Sequence, residues 1–183
     1  MHPPEEITPA DIVRAIAACT QEVFDTMLGL EIQVNHAPVE AAARDALGSG
    51  LISLIGLAGS WAGTGSVSCT GRFACRIAAQ LLMSSYPELN EEVLDAMGEI
   101  TNMIIGNVKT QLEDKIGPMG LSTPTVIYGH DFQTRSARIH QWTVVPFLSG
   151  DERLCVQMCL APNRETGRGT VRAGLQVPSM LTA

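Results

Sequence analysis

Three polar residues follow one another along a predicted helix in the stretch VLDAMGEITNMIIGNVKT, residues 93–110. Asp95, Glu99 and Asn102 are spaced i, i+4 and i+7, so at about 3.6 residues per turn they lie on one narrow stripe. Carboxylates accept hydrogen bonds and bind cations, whereas a carboxamide both donates and accepts. The stripe could therefore bind or orient polar groups of another molecule, although a plain solvated helix face is the general alternative.

The opposite side of this helix is apolar, which predicts that the stripe points away from the core. The predicted core residues are Val93, Met97, Ile100, Ile104 and Val108.

Features beside the stripe argue against a plain solvated face. Its borders, Leu94, Met103 and Ile105, are apolar and suit a protein partner. Gly98 and Gly106 cost helix stability, about 1 kcal/mol each against alanine, and would let another backbone come close. An asparagine is also a poor helix former, so something other than helix propensity favours its presence here. We expect Asp95, Gly98, Met103 and Gly106 to contact a partner.

The composition excludes several classes of protein. The chain has 183 residues, a net charge of -7 and a pI near 5.0, with no basic run, which argues against nucleic-acid binding. Its apolar runs are too short to span a membrane, and the acidic start MHPPEEITPAD is unlike a signal peptide, so a cytoplasmic protein is expected. The five cysteines include no C-x2-C pair, and we interpret them as small buried hydrophobic residues.

The order of predicted elements is helix, three strands, two helices and three strands. Thr8 and Pro9 begin the first helix and Gly29 ends it, while Asn90 can cap the helix that carries the stripe and "GPMG" stops it near Lys115. A helix over 72–84 lies between them. The strands are predicted at 30–35, 51–59, 65–71, 122–129, 137–148 and 152–161, with "SWAGT" as a hairpin turn and a helical turn in 39–47.

The two halves of the chain look like a repeat. TQEVFDTMLG (20–29) aligns without gaps with MGEITNMIIG (97–106), placing Asp25 on Asn102 and Glu22 on Glu99. We predict an α/β (α+β) fold in which long helices pack on a largely antiparallel mixed sheet, with an approximate two-fold repeat of one helix and three strands. Residues 1–162 form a single domain in this interpretation, and residues 163–183 form a C-terminal tail.

The motif Asp95-x3-Glu99-x2-Asn102 resembles the D/S-x3-E-x2-N signature of the CheC/CheX/FliY phosphatases of bacterial chemotaxis. The surrounding EEVLDAMGEITNMIIGNVKT, followed by LSTPTVIYG, is similar to the CheX-like branch, and the likeness extends over about residues 10–161. The resemblance implies a hydrolase that removes the aspartyl phosphate of a CheY-like response regulator. It also implies that Asn102 orients the attacking water and that Glu99 docks on the regulator's active-site lysine.

The same resemblance implies that the chain holds no metal or cofactor of its own, since Mg²⁺ would be supplied by the phosphorylated regulator. CheX-like proteins are associated with dimers, so a homodimer is expected. The alternatives are a non-catalytic module that binds a response regulator or resembles a flagellar switch, and an adaptor that depends on a CheD-like partner. In the first helix, Asp25 replaces the asparagine and Ala18 the first motif residue, so that helix is predicted to be inactive.

Other candidate sites are weaker. His2, His36, His130 and His140 lack metal-ligand spacing, and we interpret them as ordinary histidines. The glycine-rich stretch GLAGSWAGTGSVS matches no phosphate-binding motif and is predicted to be a hairpin.

Overall fold

The computed structural model describes residues 7–36, 49–130 and 142–163. Within these ranges, the helices are α1 (Pro9–Val23), α2 (Gly71–Leu82) and α3 (Glu91–Ile116), and a π-helical segment (Phe24–Leu28) continues α1. The strands are β1 (Gln33–Val34), β2 (Ser49–Gly59), β3 (Trp61–Thr70), β4 (Met119–Leu121), β5 (Thr125–His130), β6 (Thr143–Ser149) and β7 (Glu152–Pro162).

The strands form one antiparallel sheet whose order reflects a two-fold repeat. The order is β1-β6-β7-β3-β2-β4, and β5 also pairs with β2. The hairpins β2–β3 and β6–β7 meet at the β3–β7 pair, while each outer strand pairs with the hairpin of the other half, β1 with β6 and β5 with β2. The predicted fold class is therefore confirmed. Every strand pair in the described ranges is antiparallel, so the "mixed" part of the prediction finds no support there.

Helix α3 is the central helix, since it contacts α1, α2 and the strands β2 to β5. All five predicted core residues of its apolar side are fully buried. An ion pair between Lys115 and Asp11, 3.2 Å from Nζ to Oδ1, links the end of α3 to the start of α1. Hydrogen bonds from Thr8 lower the pKa of Asp11, and Lys115 adds to this effect, so the carboxylate stays ionised well into acid. The polar stripe therefore lies on a helix that is held in place by its contacts with α1, α2 and the sheet.

The ends of α3 follow from local sequence. The Asn90 side chain caps the helix, accepting a hydrogen bond of 3.0 Å from the backbone N–H of Val93, and Glu91 and Glu92 occupy the positive first turn. Gly117 ends it with φ +81°, a conformation that favours glycine. The predicted bounds of this helix are confirmed.

A glycine in β3 lets α3 pack directly on the sheet. A Cβ built on Gly65 would lie 2.8 Å from both Cγ2 and Cδ1 of Ile105, closer than any real contact. Ile105 is fully buried there, so its predicted place on the exposed border of the stripe is wrong. The helical wheel places Ile105 beside the polar stripe, but the sheet reaches it because Gly65 has no side chain.

We expect Gly65→Ala to lower the free energy of unfolding by about 1–3 kcal/mol, because the new methyl group must displace Ile105 in a closely packed core. Gly120→Ala is the matched control, since a Cβ there would meet only the Ala58 carbonyl oxygen at 3.7 Å. Urea unfolding of both variants measures the difference. Equal stability of the two would show that α3 does not depend on this close approach.

Several predicted boundaries differ from the structure. The β2–β3 hairpin turns at Ser60, so most of the predicted turn "SWAGT" belongs to β3. β1 is only two residues long, and β4, which extends from the end of α3 to pair with β2, was not predicted. The predicted helical turn in 39–47, the start of the strand at 137–148 and nearly all of the tail 163–183 lie outside the described residues, so the domain boundary stays a prediction.

Candidate functional site

The polar stripe lies on the outer face of α3. Asp95 and Glu99 are exposed and Asn102 is half-buried, all within one uninterrupted helix. At a rise of about 1.5 Å per residue, the stripe spans about 10 Å from Asp95 to Asn102. The structure therefore brings the three predicted motif residues together on a surface that another protein can reach.

The Asn102 side chain has no partner within the part of the chain that the structure describes. It forms no hydrogen bond there, although it is half-buried and lies in the middle of a helix. Thr101, the residue before it, is buried and donates to the carbonyl of Met97 at 2.8 Å. The Asn102 amide keeps both its donor and its acceptor available for an outside group, which is what a group that orients water requires.

On one side, the stripe is bordered by the end of β4 and the segment that links it to β5. A Cβ on Gly98 would lie 3.6 Å from Pro124, and one on Gly106 would lie 3.5 Å from Leu121. Gly98 is buried in this contact, so a segment of its own chain lies against it, and a contact between Gly98 and a partner stays a prediction. Gly106 is partly exposed, one helical turn beyond Asn102, and stays a predicted partner contact.

On the other side, the stripe is bordered by the end of α2. Leu82 closes α2 and is 45% exposed, and together with Tyr86 it forms the far wall of a shallow groove that Asp95 and Glu99 also line. Met103 is half-buried and packs against the core, which leaves part of its side chain for the predicted partner contact. The polar stripe thus lies between two walls supplied by its own chain.

The next polar residue on the line of the stripe, Lys109, is already paired. Lys109 donates to Glu113 at 2.7 Å, and the same carboxylate accepts the backbone N–H of Met119 at 2.7 Å. This pair fixes the end of α3 to β4. Lys109 therefore stabilises the fold, and Asn102 is the last side chain of the stripe without a partner among the described residues.

The counterpart of the stripe on the first helix has a different backbone. Glu22 and Asp25 are exposed, but Asp25 lies in the π-helical segment that begins at Phe24. A π-helix is wider than an α-helix, so the spacing between the two acids is not that of Glu99 and Asn102. Gly29 then ends this helix with φ +59°, whereas α3 continues for ten residues past Gly106.

Other candidate groups do not form a site in the described ranges. All five cysteines are buried, and burial raises the pKa of the Cys155 thiol to about 11, far from a reactive thiolate. Across the described residues, no group of three or more His, Cys, Asp or Glu side chains could hold a metal ion. His36 is exposed, while His2, His140 and the side chain of His130 lie outside the description. No helix in these ranges is long and apolar enough to cross a membrane.

Comparison with known proteins gives a consistent family assignment. A family model described as "Chemotaxis phosphatase CheX" matches residues 51–148, a range that includes all of α3 and its polar stripe. The chain is 26% identical over 128 residues to the CheY-P phosphatase CheX of Thermotoga maritima. The aligned residues cover 69% of this chain and 81% of that protein.

Solved structures share the fold. The chemotaxis protein CheX of Vibrio vulnificus superposes with a TM-score of 0.72 at 28% identity, covering 85% of this chain and 100% of that one. A CheX–CheY–BeF3–Mg²⁺ complex of Borrelia burgdorferi contains a chain with a TM-score of 0.66 and 21% identity, covering 85% and 99%, which shows the fold alone.

Proposed function

The chain belongs to the CheX family of chemotaxis phosphatases, and from this premise we propose that it hydrolyses the aspartyl phosphate of a CheY-like response regulator. Two relatives support the partner: the one from Thermotoga maritima is named a CheY-P phosphatase, and the one from Borrelia burgdorferi was crystallised with CheY. The observation that carries the proposal is the unpartnered amide of Asn102, held outward on a helix that the core fixes in place.

Hydrolysis of an acyl phosphate requires positioning more than a strong base. The water oxygen attacks phosphorus as the bond to the aspartyl oxygen breaks, the regulator's aspartate leaves as a carboxylate, and the water's proton passes to phosphate or solvent. In our proposal, the Asn102 carbonyl oxygen accepts from this water while its N–H₂ donates to a phosphoryl oxygen. A neutral amide does this beside a highly charged phosphoryl group without the repulsion that a carboxylate would meet.

Glu99 is proposed to dock on the regulator's active-site lysine. Its carboxylate is exposed and forms no ion pair in the described part of the chain, so it is available to a cation from outside. It precedes Asn102 by three residues, about 4.5 Å along the helix axis. A lysine held by Glu99 would thus lie beside the phosphoryl group that Asn102 approaches, and the contact would set the distance between the two proteins.

We propose that the Mg²⁺ of this reaction belongs to the regulator. An aspartyl phosphate with its metal would then arrive as one unit, and the chain would add only the amide and the docking carboxylate. Exposed parts of Gly106 and Met103 would complete the contact surface around Asn102. The homodimer that the family resemblance implies stays a prediction.

The direct test of this function is turnover. A CheY-type regulator phosphorylated with acetyl phosphate is freed of excess donor, and the chain is added at one-twentieth of its concentration while inorganic phosphate is followed. We expect each chain to release many phosphates, and Glu22→Gln on α1 to behave like wild type. Release no faster than the regulator's own decay, despite measurable binding, would favour the rival function of a non-catalytic regulator-binding module.

A further inference from the structure

We propose that the groove between the end of α2 and the first turns of α3 is a second docking site, which takes a basic side chain of the response regulator. This inference rests on the proposed function, because it places the groove within the same protein–protein contact. It assigns a role to Asp95 and to two residues outside the motif, Glu92 and Leu82.

The groove is continuous with the polar stripe. It is about 560 Å³ in volume, and Asp95 and Glu99 line it from α3. From Glu99 it extends toward the start of the helix as far as Glu92, about 10 Å along the axis and in the direction away from Asn102. A protein that sits over Asn102 and Glu99 therefore also covers the groove.

The two walls differ in chemistry. The α3 wall carries three exposed carboxylates, those of Glu92, Asp95 and Glu99, and none forms an ion pair with a cation of the described residues. The wall opposite is apolar: Leu81 is half-buried, Leu82 is 45% exposed, and the small buried Ala96 lies between. The groove thus combines negative charge with apolar surface.

This combination fits a lysine or arginine side chain. Such a side chain lays its aliphatic stem on apolar surface while its charged end reaches carboxylates. Its charge would relieve repulsion among three neighbouring acids in a chain that already carries a net charge of -7. An acidic side chain would be repelled by the carboxylates of the α3 wall, and a purely apolar side chain would be stabilised by the apolar wall alone.

Tyr86 orients a carboxylate at the far end of the groove. Its hydroxyl donates to Glu92 Oε2 at 2.7 Å, which holds that carboxylate against the α2 side and raises the pKa of the tyrosine. Met83, the residue after Leu82, is 91% exposed, so the end of α2 presents a further uncovered apolar side chain. Glu99 is already committed to the active-site lysine, which leaves Glu92 and Asp95 for a second cation.

The test separates docking from chemistry. We expect the double variant Glu92→Gln/Asp95→Asn to raise KM for the phosphorylated regulator roughly three- to tenfold, with kcat within twofold of wild type and a weaker dependence of KM on salt. Leu82→Ala should raise KM about threefold through lost apolar contact. Affinity for a regulator loaded with beryllofluoride, measured by calorimetry, should fall by the same factors.

Matched controls remove the same groups elsewhere. Glu22→Gln/Glu31→Gln removes two exposed carboxylates near α1, and Met27→Ala removes an apolar side chain 48% exposed there. If the groove variants change KM and affinity no more than these controls, the groove proposal is overturned. If the wild-type chain binds the regulator but releases no phosphate, the proposed function is overturned. The affinities of the variants for the beryllofluoride-loaded regulator would then still test the groove proposal. A wild-type chain that does neither would overturn both.

Discussion

Replacement of Asn102 by alanine is expected to lower the rate of regulator dephosphorylation by about 10²–10³-fold, the usual cost of removing one oriented polar group from a catalytic site. The loss should appear in kcat, because the amide acts on water and phosphoryl oxygens in the transition state. Folding should be unaffected, since the Asn102 side chain forms no hydrogen bond within the described residues and alanine is the better helix former. Steady-state phosphate release and thermal unfolding measure the two effects.

Asn102→Asp is the sharper companion variant. It keeps the size of the side chain but cannot donate a hydrogen bond, and its charge opposes the phosphoryl group. We therefore expect it to be as slow as the alanine variant. An aspartate variant that kept most of the activity would show that the N–H₂ donor of Asn102 is not required, which would contradict the proposed positioning role of this amide.

Replacement of Glu99 by alanine has the second largest expected effect, a loss of about 10²-fold in kcat/KM. Truncating one partner of a charge pair that is covered on binding costs about 2–5 kcal/mol, mostly because the other charge is left unpaired. Here the charge left behind would be the regulator's active-site lysine. Kinetics with a beryllofluoride binding measurement would show whether affinity falls as well as rate.

A double-mutant cycle checks the partner of Glu99. Removing the regulator's lysine alone and together with Glu99 should give strongly non-additive losses, because each single change breaks the same pair. Glu22→Gln is the control on the chain, since Glu22 is exposed on α1 and belongs to neither the polar stripe nor the groove. Additive losses would mean that Glu99 contacts another group of the regulator.

Helix α3 could be predicted closely because its signals are local. Asn90 caps it, the two acids that follow occupy its positive end, and its core residues recur at helical spacing, so bounds and buried side agree with the structure. The exposure of Asp95 and Glu99 followed from the same periodicity. The sequence of a helix thus largely determines which of its faces is exposed to solvent.

The neighbours of the stripe could not be predicted, because they come from distant parts of the chain. Ile105 and Gly98 lie beside the stripe on a helical wheel, yet one is buried against Gly65 and the other against Pro124. The groove beside Asp95 depends on where α2 ends relative to α3. A helical wheel gives the direction in which a side chain points, but it does not show which strand or loop of the fold lies in that direction.

The repeat of the two halves could be recognised in the sequence, but the position at which their helices stop being equivalent could not. The alignment of 20–29 with 97–106 predicted equivalent helices, and the exchange of outer strands between the hairpins agrees with a two-fold arrangement. The π-helical turn at Phe24–Leu28 breaks the equivalence at the position that corresponds to Asn102. A π-turn has no strong sequence signal, since one extra residue in a turn changes neither composition nor apolar spacing enough to be read.

Single-turnover decay of a phosphorylated regulator, with the chain in saturating excess, tests the role of the amide most directly because binding no longer limits the rate. Wild type, Asn102→Ala and Asp25→Ala would be compared side by side. We predict that Asp25→Ala accelerates decay as wild type does, while Asn102→Ala leaves the regulator close to its own slow rate. Equal acceleration by all three chains would contradict the account, because the reaction would then proceed without the Asn102 side chain.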